Sequence, residues 1–197
     1  MFGTETVGKL LVECGLRVSE LGMWRNPEAK RIVDLLRDRD VTKCKEGLEA
    51  LDHANLPLDR FLPRLVTMIT RSDSGRYYEK DDIELVTRII GKSDLDGLQM
   101  LLRQLSPGKS AEAAHAVYRA LFTILGNENV IERLGLKGID SLIAQANRYH
   151  EAFGSLARPY FESAWFENRC VVANLLSTTQ QVLVNCRKSL ERVATLA

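Results

Sequence analysis

Apolar residues recur at helical spacing along almost the whole chain. Behind Asn26-Pro27-Glu28, the residues Ile32, Val33, Leu35 and Leu36 gather on one face, while Arg31, Asp34, Arg37 and Asp38 take the other. That is the pattern of a helix that buries one stripe and leaves the rest to water. Asn26 can cap, Pro27 suits the first helical position, and Glu28 opposes the helix dipole. Ser93-Asp94-Leu95-Asp96 reads as a capping box ahead of Leu98, Leu101, Leu102 and Leu105. Ser110 opens a run from Ala111 to Leu125, and Gly126 fits a C-terminal cap. Periodicity predicts helices near 4–22, 27–38, 42–53, 58–70, 80–90, 95–105, 111–125, 128–135, 139–152 and 159–195. Ser177 to Gln180 forms another capping box, so the last segment reads as one helix or two. The predicted loops are 71–78 and 105–110. No alternating run bounded by hairpin turns occurs, so the fold class is all-α.

Three apolar quartets repeat: Leu58-Phe61-Leu62-Leu65, Leu98-Leu101-Leu102-Leu105 and Ile139-Leu142-Ile143-Ala146. Their first members stand 40 and 41 residues apart, behind Pro57, Gly97 and Gly138 as entry residues. A period near 40 residues is one sign of a helical-repeat protein. The stretch SAEAAHAVYRALFTILGNENVIERLGLKGIDSLIAQ, residues 110–145, resembles an armadillo repeat. Its parts follow that family's order: a long helix ending in a small apolar run, a polar turn (GNEN), a short helix (VIERLGL), then Lys137-Gly138 and an apolar helix (IDSLIAQ). A shorter echo is LVTRIIGKSDLDGLQMLLRQL, in which Ile89-Ile90-Gly91 parallels Ile124-Leu125-Gly126. The resemblance spans residues 79–148. It implies stacked helical hairpins in an armadillo-like right-handed superhelix of about ten helices. The alternative is an irregular helical bundle.

In armadillo proteins the longest helix of each repeat lines the concave side, where a tryptophan four residues before an asparagine grips an extended peptide. That pair maps onto Arg119 and Thr123 in the longer copy and onto Glu84 and Arg88 in the shorter one, so neither residue type is present. Asn174 in VVANLL, with Cys170 four residues earlier, is a further place for the pair. A mixed-charge line remains: Glu84, Arg88, Glu112, His115, Arg119 and Thr123. Spacings of three and four put these residues on shared helix faces. They are the candidate partner-binding residues, and an ordinary solvated face is the plain alternative.

Composition narrows the function classes. The chain has 197 residues, 45% hydrophobic and 27% charged, the profile of a globular domain rather than a disordered one. It is read as one helical domain over 1–197, with irregular N-terminal helices over 1–55, a repeat-like core over 56–153 and a long C-terminal helix or helix pair over 154–197. Twenty-seven basic residues stand against 26 acidic ones, which gives no counterion-release drive toward nucleic acid or an anionic membrane. No apolar run approaches the roughly 20 residues needed to cross a bilayer. The start, MFGTETVGKLLVECG, lacks the plan of a signal peptide. Cys14, Cys44, Cys170 and Cys186 are far apart and read as small buried hydrophobes in a reducing compartment. The expected location is intracellular, cytoplasmic or nuclear.

Catalytic patterns are missing. His53, His115 and His150 stand apart without metal-ligand spacing. Asp81-Asp82 and Asp94/Asp96 sit at helix starts, where the dipole accounts for them. Gly108-Lys109-Ser110 has no glycine five residues before it and no preceding strand, so it is not a phosphate loop. No nucleophile-elbow context occurs. The sequence therefore offers no catalytic, cofactor-binding or metal residues, no cofactor is expected, and the protein is read as a non-enzyme.

Two features point to protein contacts. Tyr149, Phe153, Tyr160, Phe161, Trp165 and Phe166 cluster within eighteen residues, around the sharp entry set by Arg158-Pro159. They serve either as core or as interface anchors. At heptad spacing, Phe161, Trp165, Asn168, Val172, Leu175, Thr179, Val182, Cys186, Ser189, Val193 and Leu196 form one stripe. Its distal members Val182, Cys186, Val193 and Leu196 are candidates for self-association. The expected function is an interaction scaffold or adaptor that binds another protein through a helical groove or the C-terminal helix. The alternative is a self-associating structural or regulatory protein, a homo-oligomer through that helix.

Overall fold

The computed structural model describes residues 26–71, 80–93, 95–155 and 164–196. Among them are eight α-helices, two 3-10 turns and no strand. The expected helix near 4–22 and residues 72–78 of the expected loop 71–78 lie outside the described residues, while Arg71 is helical. The chain divides into two compact units, Met1–Leu56 and Pro57–Ala197.

In the first unit, α1 (Pro27–Arg37) and α2 (Val41–His53) pack as a pair. Asn26 Oδ1 accepts from the N–H groups of Glu28 and Ala29 at 3.0 and 3.2 Å, which satisfies two donors of the first turn. Asp40 caps α2 through Thr42 N at 2.9 Å. Between the helices, the Asp38 carboxylate accepts from Asp40 N–H at 3.0 Å and from Lys43 Nζ at 3.1 Å. These two donors, the backbone N–H first, hold its carboxyl below the usual carboxylate range. Ile32, Leu36, Leu48 and Leu51 are buried, as their spacing requires.

The second unit contains α3 (Leu62–Arg71), α4 (Lys80–Lys92), α5 (Leu95–Leu102), α6 (Ala111–Leu125), α7 (Glu128–Ser155) and α8 (Ala164–Leu196). A 3-10 turn, Leu58–Arg60, precedes α3, and another, Arg103–Leu105, ends α5. Helix contacts run in two rows. One row is α3 against α5 and α5 against α7; the other is α4 against α6 and α6 against α8. Sequential neighbours join the rows, α3 also packs broadly against α6 across them, and α8 lies along both α6 and α7. The three quartets fall on α3, α5 and α7 and the turns beside them. All of their members are buried except Leu58 and Ile143, which are half-buried.

Polar side chains fix the seam between α5 and α7. Gln99 Nε2 donates to Ser141 Oγ at 3.2 Å, and Gln145 Nε2 donates to Gln99 O at 3.2 Å and to Tyr149 Oη at 2.9 Å. At the entry to α5, a Cβ on Gly97 would fall 1.9 Å from Ser93 Oγ. That oxygen is held by its bond to Ile90 O at 2.5 Å, so an added Cβ would have to displace it. The Ser93 hydroxyl thus donates back to the end of α4; Asp94, between the two helices, lies outside the described residues.

One expected helix limit and one expected buried stripe are corrected, and one open alternative is resolved. The break between the predicted helices 128–135 and 139–152 falls at Gly135, not at Lys137-Gly138. Gly135 has φ 60° and ψ −177°, a conformation open essentially to glycine alone. Gly138 is an ordinary buried helical residue beyond it. The C-terminal segment, read as one helix or two, is one continuous helix over Ala164–Leu196, and Gln180 of the apparent capping box donates instead to Asn147 Oδ1 of α7 at 2.8 Å.

The second correction concerns the stripe on α8. Its buried residues are Val172, Leu176, Thr179, Leu183 and Cys186, whereas Leu175 and Val182 are only half-buried. The alternation of four and three holds, but the intermediate positions shift by one residue. The cause is that α8 packs against two helices, so its buried face turns toward the groove between them.

Candidate interaction surface

The face read as partner-binding lies on α4 and α6, neighbours in one row. Ser110 caps α6, its Oγ accepting from Ala113 N at 3.2 Å. A second cap comes from α8: Asn168 Oδ1 accepts the Ala111 N–H, and Asn168 Nδ2 donates to Lys109 O at 2.9 Å. On the inner side of α6, Ala114, Ala116, Val117, Ala120, Leu121, Ile124 and Leu125 are all buried. Three alanines and a valine let neighbouring helices approach closely. At the α4 end of the contact, a Cβ placed on Gly91 would lie 3.6 Å from Ile124.

With its inner side buried so fully, α6 leaves a narrow outer stripe. Glu112, His115, Arg119 and Thr123 are exposed there, and so are Glu84 and Arg88 on α4, opposite the buried Val86, Ile89 and Ile90. All six candidates therefore reach the surface, on two helices in contact. Glu84, Arg88 and Arg119 also make interactions within the chain. Thr123 Oγ1 donates to Arg119 O at 3.0 Å.

Sequence reasoning missed the most distinctive member of this face. Phe122 is 57% exposed, and it stands three residues after Arg119 and seven after His115. The half-buried Tyr118 ring lies beside it, centroids 6.1 Å apart and planes tilted by 35°. Its spacing to the charged candidates was the available signal. The surrounding apolar run hid it, because it reads as continuous core.

Arg133, on α7, donates to the carbonyls of Gly91 and Ser93 and so covers the last turn of α4. This ties the end of α4 to the segment just before the Gly135 break.

The C-terminal candidates are placed unequally. Val182 is half-buried, and Cys186 is buried with its Sγ 3.8 Å from Leu125 O. Burial raises the Cys186 thiol above its ordinary pKa. Arg187 pairs with Asp140 of α7 at 2.7 Å and with Glu191 at 2.8 Å. The Asp140 carboxylate, then Glu191, push the guanidinium pKa up. Beyond this point Arg192 to Thr195 are exposed, Val193 by 63%. The Leu196 side chain lies outside what is described. Cys44 and Cys186 are buried as expected of small hydrophobes, but Cys170 is not: it is exposed, as is Asn174, on the side of α8 away from its buried stripe.

Of the aromatic cluster, Phe153 is buried and Tyr149 half-buried. The Arg169 guanidinium sits 5.9 Å from the Phe153 ring centroid and also donates to Phe153 O. Tyr160 and Phe161 lie outside the described residues, as do the side chains of Trp165 and Phe166.

Among the described residues, no three or more His, Cys, Asp or Glu side chains gather as a metal site would require. No described helix is long and apolar enough to cross a membrane. Compared with known proteins, the chain matches no family model, no curated protein and no solved structure.

Proposed function

We propose that this protein is an intracellular interaction scaffold of stacked helical hairpins, in the manner of armadillo repeats, and not an enzyme. It binds another protein through the outer face of α4 and α6. The observation that supports this most is Phe122, a largely exposed aromatic ring set among Glu112, His115, Arg119 and Thr123. Exposed aromatics among mixed charges are typical of binding anchors. The contacts of α3 with α5, α5 with α7 and α4 with α6 support the stacked reading, whereas the broader contact of α3 with α6 is one that an irregular bundle would also make.

The test is a photo-crosslinking amino acid placed at 122 in the full chain, expressed in its native cells, with the same group at the exposed Glu132 as control. A discrete adduct with a different protein at 122 and none at 132 is expected. Its yield should fall at least about tenfold on combining Arg88→Glu with Arg119→Glu, while thermal stability stays nearly unchanged. An absent adduct, or one indifferent to both reversals, sinks the reading.

A second reading is self-association through the C-terminal helix. It is favoured by Val193, exposed at the end of α8. Deleting residues 188–197 would then abolish an oligomer while leaving helicity intact; an unchanged mass would refute it.

A further inference from the structure

We propose that Ser106 is a phosphorylation site, modified by a proline-directed serine/threonine kinase. The inference stands apart from the reading of the α4–α6 face and does not depend on it. A kinase takes its acceptor from extended chain, because the hydroxyl must reach the γ-phosphate in line. Among the described residues, the serines and threonines outside helices are Ser93, Ser106 and Ser110. Ser93 is buried and its hydroxyl donates to Ile90 O, while Ser110 Oγ accepts from Ala113 N as a cap. The Ser106 hydroxyl is in no such bond among the described residues. Its backbone is already extended, φ −85° and ψ 160°, as the proline after it requires.

The neighbours of Ser106 select the class of kinase. Leu105, just before it, is buried and ends the 3-10 turn, so nothing on that side can be read without pulling out core. The residues after it stand open. Pro107 and Lys109 are half-buried, Gly108 and Ser110 are exposed, and a Cβ on Gly108 would meet nothing within 4 Å. Lys109 N–H donates to Ser106 O at 3.4 Å and Gly108 has φ 88°, which closes a turn on Pro107 and Gly108. Serine, proline, and a base three residues after the acceptor make the pattern that a proline-directed kinase reads. Proline brings no N–H. A cleft without an acceptor at that point takes it freely and leaves the N–H of any other residue unpaired. The other four of the five prolines follow Asn26, Leu56, Leu62 and Arg158, so the signature occurs once in the chain.

The product suits the loop. Ser106 Oγ bonds to the γ-phosphorus of ATP as the bond to the bridging β–γ oxygen breaks. ADP leaves, and the hydroxyl proton passes to the kinase's catalytic carboxylate. The ester adds about two negative charges. Ser106 N–H donates to Arg103 O at 3.3 Å, so a hydrogen-bonded turn on either side holds a basic residue near. Arg103 and Lys109 each lie within about 7 Å of Ser106, Cα to Cα. No acidic residue occurs between Asp96 and Glu112. The new charge thus meets two cations and no like charge in its own loop.

The test incubates the full chain with a purified cyclin-dependent kinase and magnesium ATP. Intact mass and peptide fragmentation read the product, and circular dichroism confirms the fold of each variant. One HPO3 group should be gained, localised to Ser106 in the wild type and absent from Ser106→Ala. Pro107→Ala should lower the initial rate at least about tenfold, and Lys109→Ala severalfold. Chain recovered from its native cells with phosphatases inhibited should carry the same phosphate. A phosphate on another residue, or a rate indifferent to Pro107, would overturn the proposal. So would a folded chain that stays unlabelled while a peptide of residues 101–112 is modified, because the loop would then be closed to the kinase. Native chain without phosphate at Ser106 would overturn it as well.

Discussion

Asn168 of α8 closes the entry to α6, accepting the Ala111 N–H with one end of its amide while the other donates to Lys109 O. Along the stripe of α8 this residue looks like a polar defect. In the fold it supplies a cap that α6 cannot make alone, since Ser110 reaches only Ala113 N. Asn168→Ala should lower stability by about 1–3 kcal/mol in urea or thermal denaturation, the cost of leaving part-buried backbone groups unpaired. Asn168→Asp keeps the acceptor and loses the donor, so it should lie between Ala and wild type. A stripe made more apolar by Asn168→Leu with no loss of stability would contradict this role.

Gly97 and Ser93 form a coupled pair. Gly97→Ala should destabilise by about 1–3 kcal/mol, because its Cβ would meet Ser93 Oγ in a packed region. On a Ser93→Ala background the clash with the oxygen is gone, leaving Ser93 Cβ and Ile90 Cγ2 at 3.1 Å. The same glycine substitution should then cost less. A double-mutant cycle by chemical denaturation measures the coupling, and strictly additive effects would refute it.

Equivalent quartet positions should respond differently to truncation. Leu102 is 1% exposed, and Leu102→Ala should cost about 2–5 kcal/mol. Ile143 occupies the same place in the third quartet but is half-buried, so Ile143→Ala should cost roughly half as much or less. Equal losses in urea titrations would mean that the two positions are equally enclosed.

Thiol chemistry should report the packing of α8. In a Cys14→Ser variant, Cys170 should react quickly with an aromatic disulfide reagent, while Cys44 and Cys186 react only as the fold opens. The folded Cys186 pKa is raised, so its neutral form is favoured by folding. Its contribution to stability is full below the unfolded thiol's pKa and is lost as pH rises through the folded value. Cys186→Ala should remove that part of the alkaline loss of stability. Rapid labelling of Cys186 in the native state would place it outside the core.

The all-helical class, the caps at Asn26 and Ser110, and the span of the helix from Ala111 to Leu125 were legible in the order of the residues alone. Each depends on residues within a turn or two of one another, so the chemistry that decides them is visible in the order of the chain. It also brought to the surface candidates Glu84, Arg88, Glu112, His115, Arg119 and Thr123, because charged and polar residues at steps of three and four mark a solvated face. Helix rotation and long-range contact, by contrast, depended on packing. Leu176 and Leu183 replaced Leu175 and Val182 in the buried stripe because α8 meets two helices, and no local spacing encodes how many neighbours a helix has. Gly135 rather than Gly138 became the break, since both glycines allow one locally and packing chose between them. Phe122 was left outside because the inner side of α6 was already filled by smaller residues from Ala114 to Leu125, and a helix can turn only one side to its core.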